Sequence, residues 1–216
     1  MTEIIAKGIA SYLLGSLMGS LIVGRLRGGV DIRTLGSGNA GGTNALRTQG
    51  RLFALGVMLI DIGKGFIATR VIAPLGLSGL PSAPPMWREW LPALCGIAVI
   101  VGHVYPAWFG FRGGKGVATF VGALVGIAAW LLLPVLITWL VVVMLSGYVG
   151  LASIVAAISF PIYIAWTQYE PYAPLLVFGV AAAALIVFTH RANIERMKAG
   201  VEPHARRLWL LGRGRG

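Results

Sequence analysis

Val117-Ala-Thr-Phe-Val-Gly-Ala-Leu-Val-Gly-Ile-Ala-Ala-Trp130-Leu-Leu-Leu-Pro134-Val-Leu-Ile-Thr-Trp-Leu-Val-Val-Val-Met-Leu-Ser146 is 30 residues of nearly unbroken apolar sequence. As one straight helix it would run about 45 Å, against a hydrocarbon core of about 30 Å. Pro134 offers a turn or break near the middle, so the stretch reads as two short spans, Val117–Trp130 and Leu132–Ser146.

Working outward, apolar runs of spanning length extend over Ile4–Gly24, Leu52–Leu75, Trp90–Phe109, Leu151–Trp166 and Ala173–Thr189. The small residues Gly15, Ser16, Gly19 and Ser20 predict a packing stripe on the first. That first run has the length of a signal peptide. Its n-region is weak, with Glu3 beside Lys7, and basic residues follow it directly, so an uncleaved span is the expectation. Trp87 and Trp90 suit an interfacial aromatic belt. The composition agrees: 57% of residues are hydrophobic and 12% charged, where soluble domains run near 45–50% and about 25%. The expected fold class is therefore all-α, a polytopic integral membrane protein of about seven transmembrane helices.

Parity tests that count. Of 18 basic residues, 14 fall within Arg25–Arg51, Arg112–Lys115 and Arg191–Arg215. With seven spans these three segments share one face. The opposite side keeps only Lys7, Arg88 and, near a span end, Arg70. Basic loops stay cytoplasmic, which predicts an outside N-terminus and a cytoplasmic C-terminus. Were Val117–Ser146 one span, the basic tail would face away from the other two clusters. Residues 1–200 are expected to form a single transmembrane catalytic domain, and 201–216 a basic cytoplasmic tail.

The net charge of +11 raises nucleic acid as a partner, but such modules carry their cations on a polar soluble surface, which this chain lacks. Cys95, the single cysteine, excludes an internal disulfide and reads as an inert packed thiol. Scattered acids and no histidine cluster predict no metal site.

The three basic segments also carry the unusual residues. Gly36-Ser37-Gly38-Asn39-Ala40-Gly41-Gly42-Thr43-Asn44-Ala45-Leu46-Arg47 enters the second span. It offers backbone N–H groups at a helix start, where the dipole favours an anion, and Arg47 supplies a planar fork for phosphate oxygens. A flexible capped turn is the plainer alternative, but four glycines, a serine, a threonine and two asparagines around one arginine exceed what a turn needs. Gly102-His103-Val104-Tyr105-Pro106 and Phe111-Arg112-Gly113-Gly114-Lys115-Gly116-Val117-Ala118-Thr119 form the second segment. Gly-Gly-Lys-Gly looks like a nucleotide-binding loop, yet Gly116 stands where Ser or Thr would hold Mg²⁺ and no βαβ pattern surrounds it. His103 is open between a buried histidine bonded to a neighbouring helix and a direct substrate contact. In the third segment, Thr189–Glu202, His190 and Asn193 share a helical face that Arg196 continues. Contact with anionic lipid headgroups accounts for Arg206, Arg207, Arg213 and Arg215. It accounts poorly for the mixed His/Asn/Arg/Glu face. Asp61 and Lys64, at i and i+3 within the second span, read first as a structural ion pair.

Gly36–Arg47, Gly102–Thr119 and Asn193–Glu202 resemble, in order, three signature segments of the bacterial acyl-phosphate:glycerol-3-phosphate acyltransferases, the PlsY family. Asp61–Gly65 and Tyr148–Ile154 are similar to further family features. The resemblance implies a multi-pass enzyme of the bacterial inner membrane, active at the cytoplasmic face. It implies transfer of a fatty acyl group from acyl phosphate to the sn-1 hydroxyl of glycerol 3-phosphate, giving lysophosphatidic acid and phosphate, the first acylation of phospholipid synthesis. The chain has no His-x4-Asp pair, which disfavours the common soluble-domain acyltransferase chemistry. Expected partners are acyl phosphate, glycerol 3-phosphate and membrane lipids, with no cofactor, no nucleic acid and a monomeric state.

Two phosphates must be held, and acyl phosphate already carries a good leaving group, so orientation and charge stabilisation can suffice. Ser37, Lys115, His190 and Asn193 are the expected catalytic residues, with Arg47 beside them on a phosphate. Amides around Gly38, Asn39, Thr43, Asn44 and Gly114 are expected to cradle the acyl phosphate, and His103 and Ser153 to contact substrate. A Ser37 acyl-enzyme ranks below direct attack, because no His/Asp relay flanks that serine. His190, His103 or a substrate phosphate oxygen is the proton acceptor, the substrate being preferred. Where the family often has a basic residue and a serine around Tyr148, this chain has Gly147 and Gly150. The rival from another class is an organic-phosphate or anion transporter, but no internal repeat is visible.

Overall fold

Apolar sequence with small residues at the contacts gives helices throughout the computed structural model, which describes residues 1–212. Arg213 and Arg215 of the predicted tail lie outside the described residues. The α-helices are α1 (Thr2–Gly15), α2 (Gly19–Leu26), α3 (Gly42–Gln49), α4 (Arg51–Ile67), α5 (Pro85–Arg88), α6 (Leu91–Val104), α7 (Val117–Ala128), α8 (Leu132–Ser146), α9 (Val149–Thr167), α10 (Tyr172–Thr189) and α11 (Arg191–Lys198). Among the described residues there are no strands. Five segments are long and apolar enough to cross a membrane, or six if α1 and α2 together form one span. Val117–Ser146 counts as one of them.

Within that stretch a 3-10 turn, Ala129–Leu131, separates α7 from α8. The irregularity sits one turn before Pro134, at the expected division between Trp130 and Leu132. A proline offers no N–H to the carbonyl four residues earlier, here Trp130, and its ring crowds that carbonyl. Pro134 itself occupies the first turn of α8, where no N–H is needed.

The chain forms two compact units, Met1–Ala129 and the residues from Trp130 onward. In the first, α4 packs on α7 and α1 on α6 at backbone contact. A Cβ on Gly122 would lie 1.9 Å from Ile62 O, and one on Gly102 2.1 Å from Tyr12 O. Glycine is what lets these pairs of helices touch.

The first predicted span differs from expectation. It bends by 44° between α1 and α2, and the small residues Gly15, Ser16, Gly19 and Ser20 flank the break. The carbonyls of Gly15 and Leu17 accept from Lys64 Nζ at 2.9 and 2.8 Å, and Gly19 N donates to Asp61 Oδ1 at 3.2 Å. The ion pair on α4 therefore completes the hydrogen bonding of the broken helix, which an apolar surrounding requires.

In the second unit α9 packs between α8 and α10. Phe160, Ile164, Leu175, Phe178 and Ile186 are fully buried, with the Phe160 and Phe178 rings edge-on at 6.1 Å. The described part of the tail folds back on the α8–α9 turn. Ala205 N donates to Gly147 O at 2.8 Å, Leu210 N to Met144 O at 2.9 Å, and Trp209 Nε1 to Leu145 O at 3.2 Å. The His204 ring lies between Tyr148 (4.3 Å) and Trp209 (4.1 Å). Gly147 has φ +75°, and a Cβ there would meet the His204 and Trp209 rings at 2.8 Å. That gives a structural reason for the glycine.

Candidate active site

In the first unit, Asp31 begins the glycine-rich segment. Its carboxylate accepts from Arg33 N (2.9 Å), Nε (3.0 and 3.1 Å) and NH2 (2.7 Å). The Arg33 hydrogen bond holds the Asp31 carboxyl below the usual carboxylate range, and Asp31 pushes the guanidinium up in turn. Arg33 NH1 then donates to Phe109 O (3.2 Å) and Arg112 O (3.3 Å), strapping the first segment to the second. Between them lies a cavity of about 330 Å³ lined by Asp31, Arg33, Thr34 and Gly38 from one segment and Phe109, Arg112 and Gly113 from the other. The fold thus brings two of the three predicted segments onto one cavity, although of the predicted site residues Gly38 alone is in its lining, and Ser37, Arg47 and Lys115 are not.

Asn44 organises the first loop. It is 1% exposed. Its Oδ1 accepts Ser37 N at 3.1 Å, and its Nδ2 donates to Ile32 O, Leu35 O and Asn39 O at 3.0, 2.9 and 3.0 Å. The first helical bond of α3 runs from Ala45 N to Gly41 O, so the Gly42, Thr43 and Asn44 amides form the open N-terminal end of that helix. Ser37, Thr43 and Arg47 are exposed, Asn39 half-buried.

The second loop is held from below. Gly113 N donates to Val104 O and Gly114 N to His103 O, each at 3.1 Å. His103 is 2% exposed. Its Nδ1 lies 2.8 Å from Lys64 Nζ and 3.4 Å from Asp61 Oδ1. Lys64 Nζ is in turn 2.9 Å from Asp61 Oδ1. Half-buried Lys115 follows, and Gly116, at φ +85°, opens α7.

In the second unit, His190 caps the start of α11 and is 3% exposed. Its Nδ1 lies 2.8 Å from Ile186 O. A carbonyl only accepts, so Nδ1 carries the proton and the lone pair of the neutral ring is on Nε2. Glu202 Oε1 accepts Asn193 Nδ2 and Oε2 accepts Arg196 Nε, both at 2.6 Å. The predicted His/Asn/Arg row is therefore tied off by a carboxylate that returns to it after Gly200.

Several expectations change. The Gly38 and Gly114 amides, expected to face the acyl phosphate, donate instead to Leu35 O and His103 O. Asn44 acts through its side chain as the internal brace of the loop. Of the two readings of His103, the buried ring bonded to another helix is the one the geometry carries. Ser153 lies not at a turn but in the second turn of α9. Its buried hydroxyl donates to Val149 O (2.9 Å) and accepts Trp139 Nε1 (3.3 Å). Gly150 is explained by Asn193, whose Nδ2 a Cβ would meet at 3.0 Å. The residues that sequence reasoning missed are Asp31, Arg33 and Glu202. The Asp-x-Arg spacing just before the glycine loop was a readable signal for the first two.

The profile of the glycerol-3-phosphate acyltransferase family matches residues 5–200. The chain is 40% identical to the glycerol-3-phosphate acyltransferase of Chlorobaculum parvum, over 94% of this chain and 96% of that one. It is similar to the crystal structure of PlsY (YgiH), an integral membrane glycerol 3-phosphate acyltransferase, in its glycerol 3-phosphate form. There the TM-score is 0.81 and the identity 35%, over 93% of this chain and 94% of that one. The lysophosphatidic acid form of PlsY matches with a TM-score of 0.80 and 33% identity, over 95% and 97%.

Proposed function

The chain belongs to the glycerol-3-phosphate acyltransferase family, and from that premise we propose that it takes its acyl group from acyl phosphate. The glycerol 3-phosphate sn-1 hydroxyl oxygen bonds to the acyl carbonyl carbon, and the bond from that carbon to the phosphate oxygen breaks. The hydroxyl proton passes to a phosphate oxygen of the substrate, so lysophosphatidic acid and inorganic phosphate leave. The observation that carries the reading is the 330 Å³ cavity on which two glycine-rich, arginine-bearing loops meet. Such walls suit a small phosphorylated substrate and offer no recognisable base dyad.

In this reading Arg47, Lys115 and the open amides of Thr43 and Asn44 hold phosphate oxygens, with Gly38 and Asn39 shaping the loop. Ser37 orients the attacking hydroxyl; in the second unit, His190 and Asn193 are carried as catalytic residues by the family resemblance. Ser153 acts through α8–α9 packing. The polypeptide crosses the bacterial inner membrane seven times, N-terminus outside, with its basic loops and catalytic groups at the cytoplasmic face. Residues 1–200 form the catalytic domain of a monomer, and 201–216 its cytoplasmic tail.

Purified protein given acyl phosphate and glycerol 3-phosphate is expected to release lysophosphatidic acid and one phosphate per turnover, and to be inactive with acyl-CoA. Folded protein that makes no product, but moves glycerol 3-phosphate across a vesicle membrane, would replace this reading with the transporter.

A further inference from the structure

An ammonium buried in a membrane-spanning helix is costly, and a structural plug for two carbonyls does not need one. Lys64 lies on α4 and is 3% exposed. It meets Gly15 O, Leu17 O and Asp61 Oδ1, and also the ring of His103 on α6. The last contact has a chemical consequence. An ammonium carries protons and no acceptor, so a 2.8 Å approach to Nδ1 requires the lone pair there. The proton of the neutral imidazole is then on Nε2. Asp61 Oδ1, at 3.4 Å from Nδ1, is beyond a good N–H···O distance and is served by Lys64 and Gly19 N instead.

The Nε2 end of the ring abuts the second glycine loop. A Cβ on Gly114 would lie 2.2 Å from His103 Nε2, with the neighbouring ring carbons at 3.0 and 3.2 Å. The two backbone bonds from Gly113 and Gly114 to Val104 O and His103 O fasten the loop to the same turn of α6. A continuous line of contacts therefore runs from Asp61 through Lys64 and His103 to Gly114, next to Lys115.

We propose that Lys64 is a positioning residue for the acyl-transfer site: its ammonium fixes His103 as the Nε2–H tautomer and fixes the ring on which the Gly114–Lys115 loop rests. The inference rests on the acyl-transfer reading for its kinetic part and on geometry alone for the tautomer. It also removes His103 from the candidates for proton acceptor, because Nδ1 is occupied and Nε2 already carries hydrogen.

The test uses the full chain in detergent, labelled with ¹⁵N-histidine. The resonances absent from His103→Gln identify His103. Wild type is expected to show Nε2 protonated and Nδ1 bare. The paired variant Asp61→Asn/Lys64→Met, which strands no charge, is expected to lose that preference. Its KM for a phosphate substrate should rise about ten-fold while kcat changes less, as lost ground-state positioning requires. His103→Asn keeps an acceptor for Lys64 but removes the ring tip, and is expected to reproduce the KM rise if the paired variant does not fold. Protonated Nδ1 in wild type overturns the proposal, as does a folded paired variant with wild-type tautomer or wild-type KM. Wild-type KM in His103→Asn overturns it too. Protein that makes no lysophosphatidic acid at all defeats the acyl-transfer reading, while the wild-type tautomer still decides the lysine–histidine link.

Discussion

Asn44 Oδ1 accepts the backbone N–H of Ser37 at 3.1 Å, so the serine expected to lie nearest the chemistry is set by a residue seven positions later. Asn44→Ala leaves that N–H and three carbonyls without their buried partner. The expected cost is about 3 kcal/mol of stability, with kcat/KM down by more than about ten-fold because Ser37 loses its fixed place. Denaturant unfolding in detergent and steady-state assays measure both. A variant of wild-type stability would mean the loop is braced elsewhere.

Ser37 itself separates direct attack from an acyl-enzyme. Protein incubated with acyl phosphate alone is expected to show no acyl adduct by intact mass spectrometry. Ser37→Ala is expected to lower kcat/KM about 10- to 100-fold through a lost hydrogen bond. An adduct present in wild type and missing from Ser37→Ala would make the serine a nucleophile.

Glu202 holds Asn193 and Arg196 with one oxygen each. Glu202→Gln keeps the shape but leaves Arg196 without its counter-charge. About 2 kcal/mol of stability is expected to go, because the carboxylate is buried while Arg196 is partly solvated. Activity should fall less, because the amide oxygen of the glutamine can still accept Asn193 Nδ2. Unchanged unfolding would show that the return of the chain after Gly200 is not needed to order α11.

Asp31 gives a pH signature. Its folded pKa lies below the unfolded value of about 3.9. Its contribution is therefore complete above that value and is lost as pH falls through the folded one. The stability difference between wild type and Asp31→Asn is expected to stay flat from about pH 8 to about pH 5 and to shrink only below about pH 4. Because the carboxylate is about a third exposed, solvent screening keeps the plateau small, about 1 kcal/mol or less. A difference that changes near neutral pH would assign the coupling to another group.

What the sequence revealed follows the range of the interactions. Spans of apolar residues announce themselves locally, and the interruption before Pro134 follows from one helical turn of geometry. The break at Ser16–Met18 does not, because Gly15, Ser16, Gly19 and Ser20 suit a straight packed helix equally well. The groups that satisfy the break arrive 49 residues later, on Lys64. The glycine loops were legible as anion-binding segments from composition. Which amides remain open was not, since Gly38 and Gly114 are closed off by carbonyls that only the folded turn supplies. Glu202 stood at the end of the third segment, but its partnership with Asn193 depends on the chain reversing at Gly200, where φ is +70°.

The bent first span bears on biogenesis. Two backbone carbonyls at its break find their donors on α4, so a nascent chain that has released only its first hydrophobic segment holds polar groups with nothing to meet them in lipid. The N-terminal helices reach their observed hydrogen bonding only with Lys64 beside them. The final form of the earlier segment thus depends on groups that α4 supplies.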